Sequence, residues 1–306
     1  MAAATGVLIA IQARSNGQLS HLISNSVEAA LISFSSGLVI VAIFALFSAS
    51  MKKGIKELRS AVQQNLLPKW SLVAGAMGGV VIGMQTHVLP LIGVAIYSVG
   101  TISGQTMISL LVDRIGLTGG GKKEISPRRI IAAVTTILAV VVSVLDRLSV
   151  SHFQILAVVL AIISGCLIGV QRALNGRINQ YSRQNFTTSL LNFIMGTAAL
   201  LLILLFRVIF SHEKVYSLPS GPWWIYLGGV TGVIYIAFSA TVVQHLGVLT
   251  FTLFSVGGQL FGSLIIDLVS PISGVHVTGY LVAGILMTYV GVVVGGQSRL
   301  FRRKLK

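Results

Sequence analysis

Apolar runs of about 20 residues, the length a helix needs to cross a bilayer, follow one another along nearly the whole chain. In hydrocarbon every backbone N–H and C=O must be paired within the spanning structure, which leaves helices or a closed barrel. These runs are continuous rather than alternating, so they read as helices. Hydrophobic stretches set against turns and charges place ten spans, near 2–20, 27–49, 70–89, 93–113, 128–146, 153–173, 187–210, 222–244, 248–268 and 277–296. The expected fold class is an all-α membrane protein. Composition agrees: 54% of the 306 residues are hydrophobic and 9% are charged, against about a quarter charged in a soluble domain.

The net charge of +15 would suit a nucleic-acid binder if the cations formed a patch, but they sit in short connectors and at the C-terminus. With a cytoplasmic N-terminus, 18 of the 22 Lys and Arg residues fall inside, and only Arg14, Arg147, Arg207 and Lys214 fall outside. That is the positive-inside pattern; both termini are expected in the cytoplasm, and nucleic acid is not an expected partner. The one cysteine, Cys166, lies in an apolar run, which leaves no disulfide framework and no thiol metal site. No Lys or Arg precedes Arg14, so the N-terminal stretch reads as a retained span rather than a signal peptide. Its counterpart has a longer apolar run, and a turn or two of the first span is expected ahead of Met1.

The chain repeats itself. "GVLIAIQARSNGQLS" from Gly6 returns as "GCLIGVQRALNGRIN" from Gly165, 159 residues on, and the same offset carries "LISFSSG" onto "LLNFIMG". Beyond the next loop the offset becomes 154, matching Pro68, Trp70, Gly75 and Gly78 to Pro222, Trp224, Gly229 and Gly232. The boundary falls between 147 and 148, giving two five-span units, 1–147 and 148–306. Five is odd, so the second unit would enter the membrane from the opposite side, as in inverted-repeat transporters.

Spans four and nine carry the most informative pattern. Thr101, Gln105, Ser109 and Asp113 are spaced by four, and Ser255, Gln259, Ser263 and Asp267 repeat them at offset 154. Residues four apart share a helix face, so each ladder is a polar stripe roughly 18 Å long. Such a stripe is costly in lipid and should face protein or a water-filled cavity. The glutamines, beside Gly104 and Gly258, are expected to line a central substrate site with the hydroxyl residues, and Asp113 and Asp267 to stand near opposite mouths in gating or coupling. The competing reading is interhelical glue for the hydroxyls and helix capping for the aspartates.

Gln12 and Asn16 share a face, as do Gln171 and Asn175. Asn-Gly commonly marks a helix end, so Asn16-Gly17 and Asn175-Gly176 are expected to terminate their spans, with substrate or gate contact the alternative. Gln12 and Gln171 lie deeper and are binding candidates. Gly75, Gly79 and Gly83 form a small-residue ridge suited to close packing; Trp70, Trp223 and Trp224 read as interfacial anchors. The loop "TGGGKKE" lacks a Walker pattern.

In order and duplication, these motifs resemble the bacterial YdcZ-type inner-membrane family of the drug/metabolite transporter superfamily. The resemblance rests on "Q…NG" (Gln12, Asn16, Gly17; Gln171, Asn175, Gly176), on "PKW" and "PWW", and on "GQ…S…D" (Gly104, Gln105, Ser109, Asp113; Gly258, Gln259, Ser263, Asp267). It implies an export-type transporter of the plasma membrane with no cofactor. Family members with one five-span copy would work as pairs; this chain looks like a fused tandem, and a homodimer is left open. Related small multidrug exporters depend on a glutamate in the first helix, where this chain has Gln12 and Gln171. Proton-coupled export of cationic drugs is therefore not expected, and Arg14 and Arg172 beside the glutamines favour a neutral or anionic metabolite.

The expected function is secondary transport of a small solute by alternating access, with a passive channel or a structural subunit as the alternative. An enzyme is not expected. The spans offer no Ser/His/Asp set, no metal cluster and no close carboxylate pair, so no catalytic or metal-binding residue is assigned.

Overall fold

The computed structural model describes residues 2–117, 125–143, 145, 155–212, 218–235, 248–270 and 277–296. Among them the regular structure is helical: α1 (Ala2–Ile23), α2 (Ser26–Phe47), α3 (Ala49–Gln63), α4 (Ala74–Ile115), α5 (Pro127–Ser143), α6 (Ile155–Ser182), α7 (Asn185–Ser211), α8 (228–235), α9 (Val248–Val269) and α10 (Gly279–Gly296). Segments Ser26–Phe47, Lys69–Val112, Ile155–Ser182 and Asn185–Ser211 are long and apolar enough to cross a membrane by length and composition. Large apolar side chains on α2 and α7 point outward, among them Phe47, Leu202, Phe206 and Phe210. A soluble protein would have to hide such a face; hydrocarbon accommodates it. The chain is an all-α membrane protein.

Three local features depart from the sequence reading. Helices α1 and α6 run through Asn16-Gly17 and Asn175-Gly176 without ending. The turn preference of Asn-Gly is weak beside a helix's need to keep its backbone bonds inside a membrane. The charged connector after α2 is itself a helix, α3, with Met51, Gly54, Leu58 and Ala61 buried on one face. Its spacing of three and four was present beneath the lysines.

The third departure joins spans three and four into α4. Pro90 lies inside α4, and Gly93 breaks it with φ 81° and ψ 169°, a region that essentially only glycine occupies. The chain thus reverses with almost no loop. The 118–124 loop, the boundary at 147/148, the second part of span eight from 236, and the basic tail from Arg299 lie outside the described residues.

Helices pack mainly across the halves. Helix α1 lies along α9, and α6 along the second segment of α4. Helix α7 also packs on α2 and on the first segment of α4, and α5 packs on α10. Glycines set these distances. A Cβ on Gly6 would strike the Ser255 carbonyl, and one on Gly258 the Ala3 carbonyl. At the repeat offsets, a Cβ on Gly165 would strike the Thr101 carbonyl and one on Gly104 the Ile162 carbonyl. The ridge of Gly75 and Gly79 lies against the α7 backbone, a Cβ on either meeting Asn192 or Gly196 atoms at 2.7 Å.

The chain repeats one local geometry ahead of α4 and α8. Pro68 and Pro222 adopt nearly the same backbone angles, φ −60° and ψ 135° against φ −61° and ψ 138°, and each opens a short 3-10 turn. Trp70 and Trp223 stand exposed on those turns.

Candidate functional site

Gln12 of α1 rests on glycines of α8, and Gln171 of α6 on a glycine of α4. Gln12 Nε2 donates to the Gly228 carbonyl at 3.0 Å, and a Cβ on Gly232 would lie 2.8 Å from the same nitrogen. Gln171 Nε2 sits against Gly78 and donates to Asn192 Oδ1 at 3.0 Å. Asn192 in turn donates to Asn175 Oδ1 at 2.9 Å and to the Thr188 carbonyl at 2.8 Å. Gln171, Asn175 and Asn192 therefore form one side-chain network.

The first half cannot copy it, because the counterpart of Asn192 is Ser33, which is too short to bridge. Asn16 Nδ2 instead donates to Gln85 Oε1 at 3.3 Å. Asn16 is fully buried, and its Oδ1 has no hydrogen-bond partner among the described residues. Tyr97 Oη, also buried and beside Gln85 and Ser164, likewise has no hydrogen-bond partner among the described residues. Two unsatisfied oxygens in one buried cluster are unusual, since nearly all such groups are paired. Sequence reasoning missed Gln85 and Asn192; a lone amide within an apolar span was the available signal.

The ladder residues divide by environment. Thr101, Ser109 and Ser263 hydroxyls donate to carbonyls of their own helices, Ser98, Thr106 and Leu260, at 3.0, 2.7 and 2.9 Å. Thr5 Oγ1 donates to Ser255 Oγ at 3.5 Å, across α1 and α9. Gln259 and Ser263 are buried, whereas their counterparts Gln105 and Ser109 are half-buried. Asp113 lies in the last turns of α4, and its side chain is outside the described residues.

Asp267 follows the capping reading, on a helix far from it in sequence. It is buried, and its two carboxylate oxygens accept from the Val94 N–H at 3.2 Å and the Ala95 N–H at 2.8 Å. These are the first amides of the helical segment that starts after Gly93, so a carboxylate from one half caps a helix of the other. Both the free N–H groups and the helix dipole favour an anion there. Arg14 on α1 lies within electrostatic reach of Asp267 and donates through one Nη to Ser270 Oγ at 3.0 Å.

Comparison with known families settles what kind of protein this arrangement belongs to. A family model described as "Putative inner membrane exporter, YdcZ" matches residues 1–142 and again 156–294. The chain belongs to the YdcZ family. As a YdcZ-family protein it is an inner-membrane transport protein, and a transporter family is not an enzyme class. No curated protein matches the chain. A solved structure described as "Crystal structure of protein" is similar in fold, with a TM-score of 0.58 at 16% identity, covering 100% of this YdcZ-family chain and 96% of that one.

Proposed function

We propose that this chain exports a small solute by alternating access, as ten spans in two five-helix halves, 1–147 and 148–306, of inverted topology with both termini cytoplasmic. One observation carries the reading. Each half grips the first helix of the other through a glycine seam at backbone contact, Gly6 with Gly258 and Gly165 with Gly104. Two equivalent seams are what a transporter needs in order to open one mouth while closing the other.

Further contacts support it. Phe34 and Phe193, equivalent at offset 159, touch with ring centroids 5.4 Å apart, as residues beside a two-fold axis do. Gln259 and Ser263 are more buried than Gln105 and Ser109, which supports the two mouths being in different states. Gln12, Gln171, Gln105 and Gln259, with Thr101, Ser255, Ser109 and Ser263, would line the route. Asp113, Asp267, Asn16 and Asn175 would control its ends.

The test is counterflow in proteoliposomes with a panel of neutral and anionic metabolites. A transporter gives saturable uptake that is accelerated by the same solute on the far side. Flux that rises linearly with concentration and shows no counterflow would mean a channel instead.

A further inference from the structure

We infer that a cavity between α1, α9 and the 223–226 turn is a binding site for an amphipathic anion, one carboxylate or phosphate head on an apolar body, held at Arg14. The inference deepens the transporter reading and rests on it for its physiological meaning.

The cavity is an open groove of about 400 Å³, within the size range of small-molecule sites. Ile11, Ile265, Ile266 and Val269 form apolar walls beside Trp224, and the polar groups are Arg14, Ser15 and Ser270. An arginine within a spanning helix is expensive and usually marks function. Arg14 retains donor capacity: one Nη is bonded to Ser270, while Nε is buried with no partner among the described residues. Asp267 is nearby, but its oxygens also accept from Val94 and Ala95, so it shares its charge with the positive end of a helix.

The repeat shows that the scaffold does not require this chemistry. At offset 159, the counterparts of Arg14 and Ser15 are Ala173 and Leu174, both buried apolar residues. At offset 154, the counterpart of Ser270 is Gly116. The fold accommodates an apolar version of this corner in one half and carries a cation with hydroxyls in the other. That polarity is therefore available for a ligand. The apolar walls exclude a small hydrophilic anion as the best fit, and Arg14 disfavours a cation.

The experiment uses the full chain with Trp70→Phe and Trp223→Phe, which leaves Trp224 as the reporter, in phosphatidylcholine nanodiscs. 4-Bromobenzoate and its neutral isostere 4-bromobenzamide are titrated, and quenching of Trp224 is read. Saturable quenching by the acid, at least tenfold tighter than by the amide, is expected. Arg14→Gln should abolish the difference and Arg14→Lys should keep part of it. Equal quenching by acid and amide, or unchanged acid binding in folded Arg14→Gln, overturns the proposal. If Arg14→Gln does not fold, the acid–amide comparison in the parent protein decides.

Repeating the titration with one third phosphatidylglycerol separates the sources. Competition assigns the anionic head to lipid, and its absence assigns it to a soluble solute; either outcome supports the anion site. Failure of the site with counterflow of another solute intact leaves the transporter reading standing. Acid-selective binding without counterflow of any solute leaves the site standing and removes the transporter reading.

Discussion

At the scale of single residues, Asp267 and Gly93 form one device. Gly93 allows the chain to reverse, and the reversal strands two amides that Asp267 caps from α9. Hydrogen bonds to a charged group contribute about 1.5–3 kcal/mol each, and stranding their buried partners has a similar cost. Asp267→Ala is therefore expected to destabilise the protein by about 3 kcal/mol, seen as a lower unfolding midpoint in detergent. Asp267→Asn keeps one acceptor and should lose roughly half as much. An unchanged midpoint for both variants would remove the cap from the account. Gly93→Ala forces a side chain into a glycine-only conformation and should cost about 1–3 kcal/mol by the same measurement. The sequence showed Asp267 as a candidate at a mouth but gave no sign of its partners. Those are backbone amides 172 and 173 residues away, and amides carry no residue-specific signal. The Asn192 network was hidden for another reason: it exists only in one half, and reasoning from the repeat favours what both halves share.

Helices were legible where hydrophobic length determined them and illegible where two signals competed. Every expected span contains helix among the described residues, because backbone pairing in lipid leaves few alternatives. Helix α3 was concealed because its lysines resembled a connector. The Asn-Gly pairs point the wrong way because their turn propensity belongs to a chain in water, and α1 and α6 run through them. The glycine seams yield the prediction that belongs to this scale. Gly258→Val should wedge α1 from α9, and Gly104→Val should wedge α6 from α4, since in each case the added carbons meet backbone carbonyls that cannot swing away. In the proposed topology the first seam lies toward the cytoplasm and the second toward the exterior. Each variant should fix the opposite exposure, read as reagent access from one side only. Matching access changes in both variants would mean that the seams are passive packing.

The whole molecule, as proposed, is two halves that grip each other reciprocally and open in turn. Composition established a membrane protein, and the duplicated motifs predicted five helices per half; which helices interlock became visible only in the packing of α1 on α9 and of α6 on α4. Breaking the Gln171–Asn192–Asn175 network probes whether the halves divide the work. Gln171→Leu removes a bond to Asn192 and leaves a buried acceptor unpaired, so it should reduce counterflow severalfold more than it lowers stability. An equal effect on both would make the network structural. The central claim is tested most directly by single cysteines on a Cys166→Ser background, with Ser109→Cys and Ser263→Cys each probed from both faces of oriented vesicles. Alternating access predicts that Ser109→Cys labels from the cytoplasmic face and Ser263→Cys from the outer face, and that any solute protecting one exposes the other. Labelling of both from the same face, or parallel protection of both, would contradict the inverted, alternating arrangement.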